Sequence, residues 1–226
     1  VYTTNGGSLK ANGGTFSSES INGYSYCIWN GSTNINGSAE INGGTFESST
    51  AEGMARAIFG AKKIENATIR AYATNDSGTH QAKVYGIVVK TSDSEISNTN
   101  IVADYNVSDI DVDDDFSCNG IGAASSNSNL IINNCHVKAV REALSIGGTN
   151  TYINGGTYEG IQHGGAYFCC EKAVIKDATF RKWDYDGKYN KDNVYSYNAS
   201  FYIGYSGWEV KVFMDNCKVE NATNAV

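Results

Sequence analysis

One six-residue pattern recurs eight times along this chain: apolar, any residue, turn-former, small, any residue, apolar. The copies are Ala11-Asn-Gly-Gly-Thr-Phe16, Ile41-Asn-Gly-Gly-Thr-Phe46, Ile64-Glu-Asn-Ala-Thr-Ile69, Ile96-Ser-Asn-Thr-Asn-Ile101, Ile132-Asn-Asn-Cys-His-Val137, Ile153-Asn-Gly-Gly-Thr-Tyr158, Ile175-Lys-Asp-Ala-Thr-Phe180 and Met214-Asp-Asn-Cys-Lys-Val219. The third position is always Gly, Asn or Asp, the residues that tolerate left-handed backbone angles. The chain is therefore expected to turn a corner there between two short strands. The fourth position is always small, as a residue facing inward at a tight corner should be.

The closing apolar residues lie 30, 23, 32, 36, 21, 22 and 39 positions apart. A unit of about 21 to 23 residues, nearly all strand and bend, is a coil of a parallel β-solenoid, with insertions in some copies. Composition agrees. The 226 residues include 25 Gly, 25 Asn and 19 Ile but only three Leu and no Pro. Corners need Gly and Asn, stacked columns need β-branched residues, and each Pro would delete a ladder donor.

The Ile-x-Asn-x-x-Ile unit resembles the Asn-turn corner of right-handed parallel β-helices, the pectate-lyase-like superfamily. The resemblance covers essentially the whole chain and implies an all-β, right-handed parallel β-helix of about eight coils. Residues 1–226 then form one domain, expected to be a segment of a longer protein. That fold hosts lyases, hydrolases, adhesins and inert surface repeats alike, so it implies no single activity.

A further strand family follows each corner: Tyr26–Trp29, Arg56–Phe59, Gly86–Val89, Gly120–Ala123, Ala143–Ile146, Tyr167–Cys170 and Ser200–Ile203. Strict alternation turns the second and fourth residues of each inward, which puts Cys27 and Cys170 in the core and Cys169 outside. Cys135 and Cys217 share the small corner position. The six cysteines thus read as small core residues rather than a disulfide framework. The three longest insertions, 70–83, 102–117 and 181–198, all fall between a corner and its following strand, so they are expected on one side of the solenoid.

Variable loops on a rigid scaffold are where binding and catalysis concentrate. Arg56, Lys90, Arg141, Tyr167, Glu171 and Tyr202 are the outward candidates on the adjoining sheet. In the last insertion Trp183, Tyr185 and Tyr189 interleave with Asp184 and Asp186. Aromatic faces beside short polar side chains suit a sugar ring, so these residues with Tyr167 and Tyr202 are the candidate glycan-binding set. Asp109, Asp111, Asp113 and Asp115 crowd the middle insertion, and an oxygen-only cluster of this kind suits Ca²⁺.

A net charge of −7 argues against nucleic acid and anionic membrane as partners. No apolar run approaches the ~20 residues of a membrane span. The leading reading is a non-catalytic, secreted or cell-surface β-helix, adhesin-like or filament-forming, that needs no cofactor and stacks end to end or on flanking domains. The alternative is a lyase or hydrolase acting on acidic polysaccharide, with Arg141, Lys90, Asp111 and Asp113 as its candidate catalytic groups. The Pro-containing and Arg-Ile-Lys signatures of those enzymes have no match in this sequence.

Overall fold

The computed structural model describes residues 1–3, 7–31, 39–74, 82–90, 93–105, 117–123, 128–161, 164–183, 201–204 and 209–220. All of its regular structure is β, in a 14-stranded and an 8-stranded sheet whose strand pairs are parallel. The smaller sheet holds the strands that lead into the corners, in chain order: Leu9–Asn12, Ala39–Asn42, Lys63–Glu65, Asp93–Ser97, Asn129–Asn133, Asn150–Asn154, Lys172–Lys176 and Lys211–Asp215. The larger sheet holds the lead-out strands after each corner and the far strands beyond them. Thr15–Asn30 and Thr45–Phe59 run through both without a break and join the two halves. Each strand pairs with its equivalent in the neighbouring copies, which is a solenoid-like arrangement.

The corners form where the sequence puts them. All eight third positions have positive φ, from 49° at Asn98 to 79° at Gly13. Asn and Asp tolerate this angle, and in several copies their neighbouring amides also bond along the stack. Asn66 Nδ2 donates to Asn42 Oδ1 at 3.2 Å and Asn154 Nδ2 to Asn133 Oδ1 at 2.8 Å. In parallel register, ~4.8 Å apart, like residues lie above like. One inward column runs Ala11, Ile41, Ile64, Ile96, Ile132, Ile153, Ile175, Met214. A second runs Phe16, Phe46, Ile69, Ile101, Val137, Tyr158, Phe180, Val219.

The far strands depart from strict alternation. Two consecutive residues turn inward in each: Cys27-Ile28, Ala57-Ile58, Gly86-Ile87, Gly120-Ile121, Ala143-Leu144 and Gly165-Ala166 are all buried. Their pairing aligns Ile28, Ile58, Ile87, Ile121, Leu144, Ala166 and Phe201. Relative to Tyr26–Trp29 and Arg56–Phe59, the segments read from the sequence as beginning at Gly86, Gly120, Ala143 and Ser200 are therefore out of step by one residue, and that beginning at Tyr167 by three. The physical reason is a kink: the first residue of each inward pair is small and faces the lead-out column across a narrow core. A Cβ on Gly86 would lie 2.5 Å from Ile101 Cγ2, and one on Gly120 would lie 2.2 Å from Val137 Cγ1.

The cysteines pack as thiols. All six are free, and Cys27, Cys118, Cys135 and Cys170 are buried while Cys169 is half-buried. Cys135 and Cys217 make equivalent contacts, Sγ donating to Asn133 O at 3.5 Å and to Asp215 O at 3.2 Å. Burial pushes the Cys27 and Cys135 thiols up to about 11, so neither ionises near neutral pH.

Candidate functional site

The residue after each closing apolar residue points outward from the lead-out strand, and these residues stack as Ser17, Glu47, Arg70, Val102, Lys138, Glu159, Arg181 and Glu220. Charge sign alternates along much of the column, so neighbours neutralise one another. Glu159 is its centre. Its Oε1 accepts from Arg181 Nη2 at 3.0 Å and lies 3.6 Å from both Lys138 Nζ and His136 Nε2. Burial lowers the proton affinity of His136, with Glu159 pulling the other way. Lys138 Nζ also sits 5.7 Å from the Trp183 ring, and Trp183 packs against the core. This cluster was missed in the sequence, although its column was readable one position past the repeat.

The Glu159 side chain is 4% exposed and that of Arg181 37%. Breaking a fully buried pair costs about 3–5 kcal/mol. Here Lys138 remains and the guanidinium is already partly solvated. Arg181→Met is therefore expected to lower stability by only about 1 kcal/mol, with Glu159→Gln in the same chain recovering much of it, as measured by urea denaturation.

The exterior of the far strands carries the outward candidates. Arg56 is sandwiched, its Cζ 5.1 Å from the Phe59 ring and 5.2 Å from that of Tyr85. Lys90 is exposed with Nζ 5.0 Å from the Phe59 ring. Arg141 is half-buried, its Nε 3.5 Å from Glu142 Oε1, and Asn119, with its nitrogen turned to the same carboxylate, donates to Oε2 at 3.3 Å. Lys90 follows one far strand and Arg141 precedes another, which sets them about 20 Å apart along the strand direction. Glu171 is exposed. The structure does bring Tyr167 and Tyr202 together, as stacked rings 5.2 Å apart.

The chain leaves the lead-out strands Thr68–Ala73, Asn100–Tyr105 and Thr179–Lys182 and re-enters at the far strands Lys83–Val89, Cys118–Ala123 and Phe201–Ile203. The three insertions thus occupy the same connection, and their first residues extend the lead-out strands. Asp184, Tyr185, Asp186 and Tyr189 lie outside the described residues, as do Asp109, Asp111, Asp113 and Asp115. Among the described residues, no group of three or more His, Cys, Asp or Glu is arranged to hold a metal ion. No described helix is long and apolar enough to cross a membrane. No family model matches this chain, and no curated protein or solved structure matches it significantly.

Proposed function

We propose that this chain is a non-catalytic, right-handed parallel β-helix of the pectate-lyase-like type, with about eight coils. It serves as a secreted or cell-surface scaffold, adhesin-like or filament-forming, and binds a glycan through its aromatic and acidic loop. The observation that carries the reading is the stacked Tyr167–Tyr202 pair on the outside of the far strands. Tyr202 sits in the strand at which the Trp183-led insertion re-enters the sheet, and Asp184, Tyr185, Asp186 and Tyr189 belong to that insertion. A flat aromatic pair binds the CH face of a sugar, and carboxylates take its hydroxyls.

Two further observations support a scaffold. The buried carboxylates Glu159 and Glu142 are each engaged by an arginine, which suits structure better than proton transfer. Met214 is 42% exposed although its column equivalents Ile132, Ile153 and Ile175 are buried. That edge invites a further coil, from flanking sequence or from a second copy.

The double substitution Trp183→Ala and Tyr185→Ala is expected to abolish binding on a glycan array, with the chain still folded at the assay temperature but melting a few degrees lower, because Trp183 also packs against the core. A parent chain that binds no glycan on the array sinks the proposal. Release of unsaturated product from polygalacturonate in the presence of Ca²⁺, lost in Arg141→Ala, replaces it with the lyase reading.

A further inference from the structure

The outer face of the 8-stranded sheet carries a feature unrelated to the aromatic loop. Its central outward column begins with the alternating charges Lys10, Glu40, Lys63 and Glu95, then changes to Ile131, Tyr152, Val174 and Phe213. At the change lies a groove of about 450 Å³, floored by Ile131 and Tyr152 and bordered by Asn129, Asp93, Lys63 and Glu95. That volume falls in the ~300–1,000 Å³ range of small-molecule sites.

An amide ladder forms one border. Asn150 Nδ2 donates to Asn129 Oδ1 at 3.1 Å, and Asn129 Nδ2 donates to Asp93 Oδ1 at 2.7 Å. A second ladder flanks the other side, where Asn154 donates to Asn133 and Asn133 Nδ2 to Glu95 Oε1 at 3.3 Å. A primary amide has two N–H donors and two acceptor lone pairs, and a ladder uses one of each. Asn129 and Asn150 thus each keep a donor and an acceptor side by side, ~4.8 Å apart along the solenoid, whereas Asn133 spends its second N–H on Ser97 Oγ at 3.2 Å.

That array narrows the ligand. Adjacent hydroxyls on a sugar ring offer the matching acceptor and donor, whereas a carboxylate or phosphate offers acceptors alone. The bordering charges are mixed, Lys62 and Lys63 against Glu40, Asp93 and Glu95, so the groove selects neither polyanion nor polycation. An extended peptide needs unpaired backbone groups, and the backbone here is committed to parallel ladders between neighbouring strands. The apolar floor suits the CH face of a pyranose, and the coil spacing is close to the length of one ring. We infer that this face binds a neutral oligosaccharide running along the solenoid axis, its rings over Tyr152 and Ile131 and its hydroxyls on the Asn129–Asn150 ladder.

The inference stands apart from the loop site, and the experiment separates them. The parent chain is titrated with neutral hexasaccharides of β-1,4-linked glucose, N-acetylglucosamine and mannose. At least one is expected to bind, Tyr152→Ala to weaken it tenfold or more, and Tyr152→Phe to restore it. Tyr152 faces outward and is half-buried beside Ile131 and Val174, so Tyr152→Phe keeps the parent's melting temperature and Tyr152→Ala lowers it by only a few degrees. The Trp183→Ala and Tyr185→Ala chain should retain this binding. The inference is overturned if no neutral hexasaccharide binds, or if binding survives Tyr152→Ala but is lost with Trp183 and Tyr185. It is equally overturned if the parent is a dimer that Tyr152→Ala dissociates and no saccharide affects, because the face then covers a second copy.

Discussion

Replacing Tyr158 by Ala is expected to cost about 3–5 kcal/mol of stability, the range for removing a fully buried aromatic side chain. Tyr158 is completely buried in the lead-out column. Its ring stacks on Phe180 at 5.2 Å, and Phe180 in turn meets Phe201 edge-on at 5.0 Å. Its hydroxyl donates to Gly155 O at 3.1 Å, across the corner it follows. Burial holds the phenol in its neutral, donating form. Tyr158→Phe keeps the packing and loses only that bond, so about 1 kcal/mol is expected. In a solenoid each coil is held mainly by its two neighbours, so the damage is local. Urea titration of Tyr158→Ala should therefore show a lower midpoint and a smaller denaturant slope, because coils on the two sides begin to unfold separately. A lower midpoint with an unchanged slope would mean that the array still unfolds as one unit.

The corners were legible in the sequence because they are local. Turn residue, small residue and flanking apolar residues stand within six positions, and each copy repeats the test. Both apolar columns followed from the corners, since strands on either side of a fixed bend have only one phase. The far strands were not legible in the same way. Their distance from the corner varies, and at Cys27-Ile28 and its equivalents two successive residues turn inward, which defeats a rule of alternation. The column of small residues there, Cys27, Ala57, Gly86, Gly120, Ala143 and Gly165, becomes visible only once the strands are aligned in space. The site shows the same division. The Glu159 cluster follows from one position of the repeat read down the copies. The groove over Ile131 and Tyr152 draws its border from several successive strands and has no single-segment signature. The acidic and aromatic loops were conspicuous by composition, but composition does not say where their side chains point.

The far-strand register has a sharp consequence at two glycines that the sequence puts on the same face. Strict alternation makes Gly120 and Gly122 both outward and both tolerant of a methyl group. In the structure Gly120 faces the core, where a Cβ would meet Val137 Cγ1 at 2.2 Å and Ala143 O at 2.7 Å. The valine can turn only within a packed column, and the carbonyl is held in the sheet ladder, so the strand must shift. Overpacking of this kind costs about 1–3 kcal/mol, and a backbone clash puts Gly120→Ala at the upper end. Gly122 looks outward. A Cβ there would lie 3.6 Å from Tyr85 Cδ1 and 3.9 Å from Ile87 O, which is ordinary contact. Alanine also loses less chain entropy than glycine on folding, so Gly122→Ala should be neutral or stabilise by up to about 1 kcal/mol. Thermal melts of the two variants therefore test the kink itself. Equal melting temperatures would restore strict alternation and remove the small-residue column, whereas a gap of several degrees with Gly120→Ala the lower confirms that two adjacent residues turn inward.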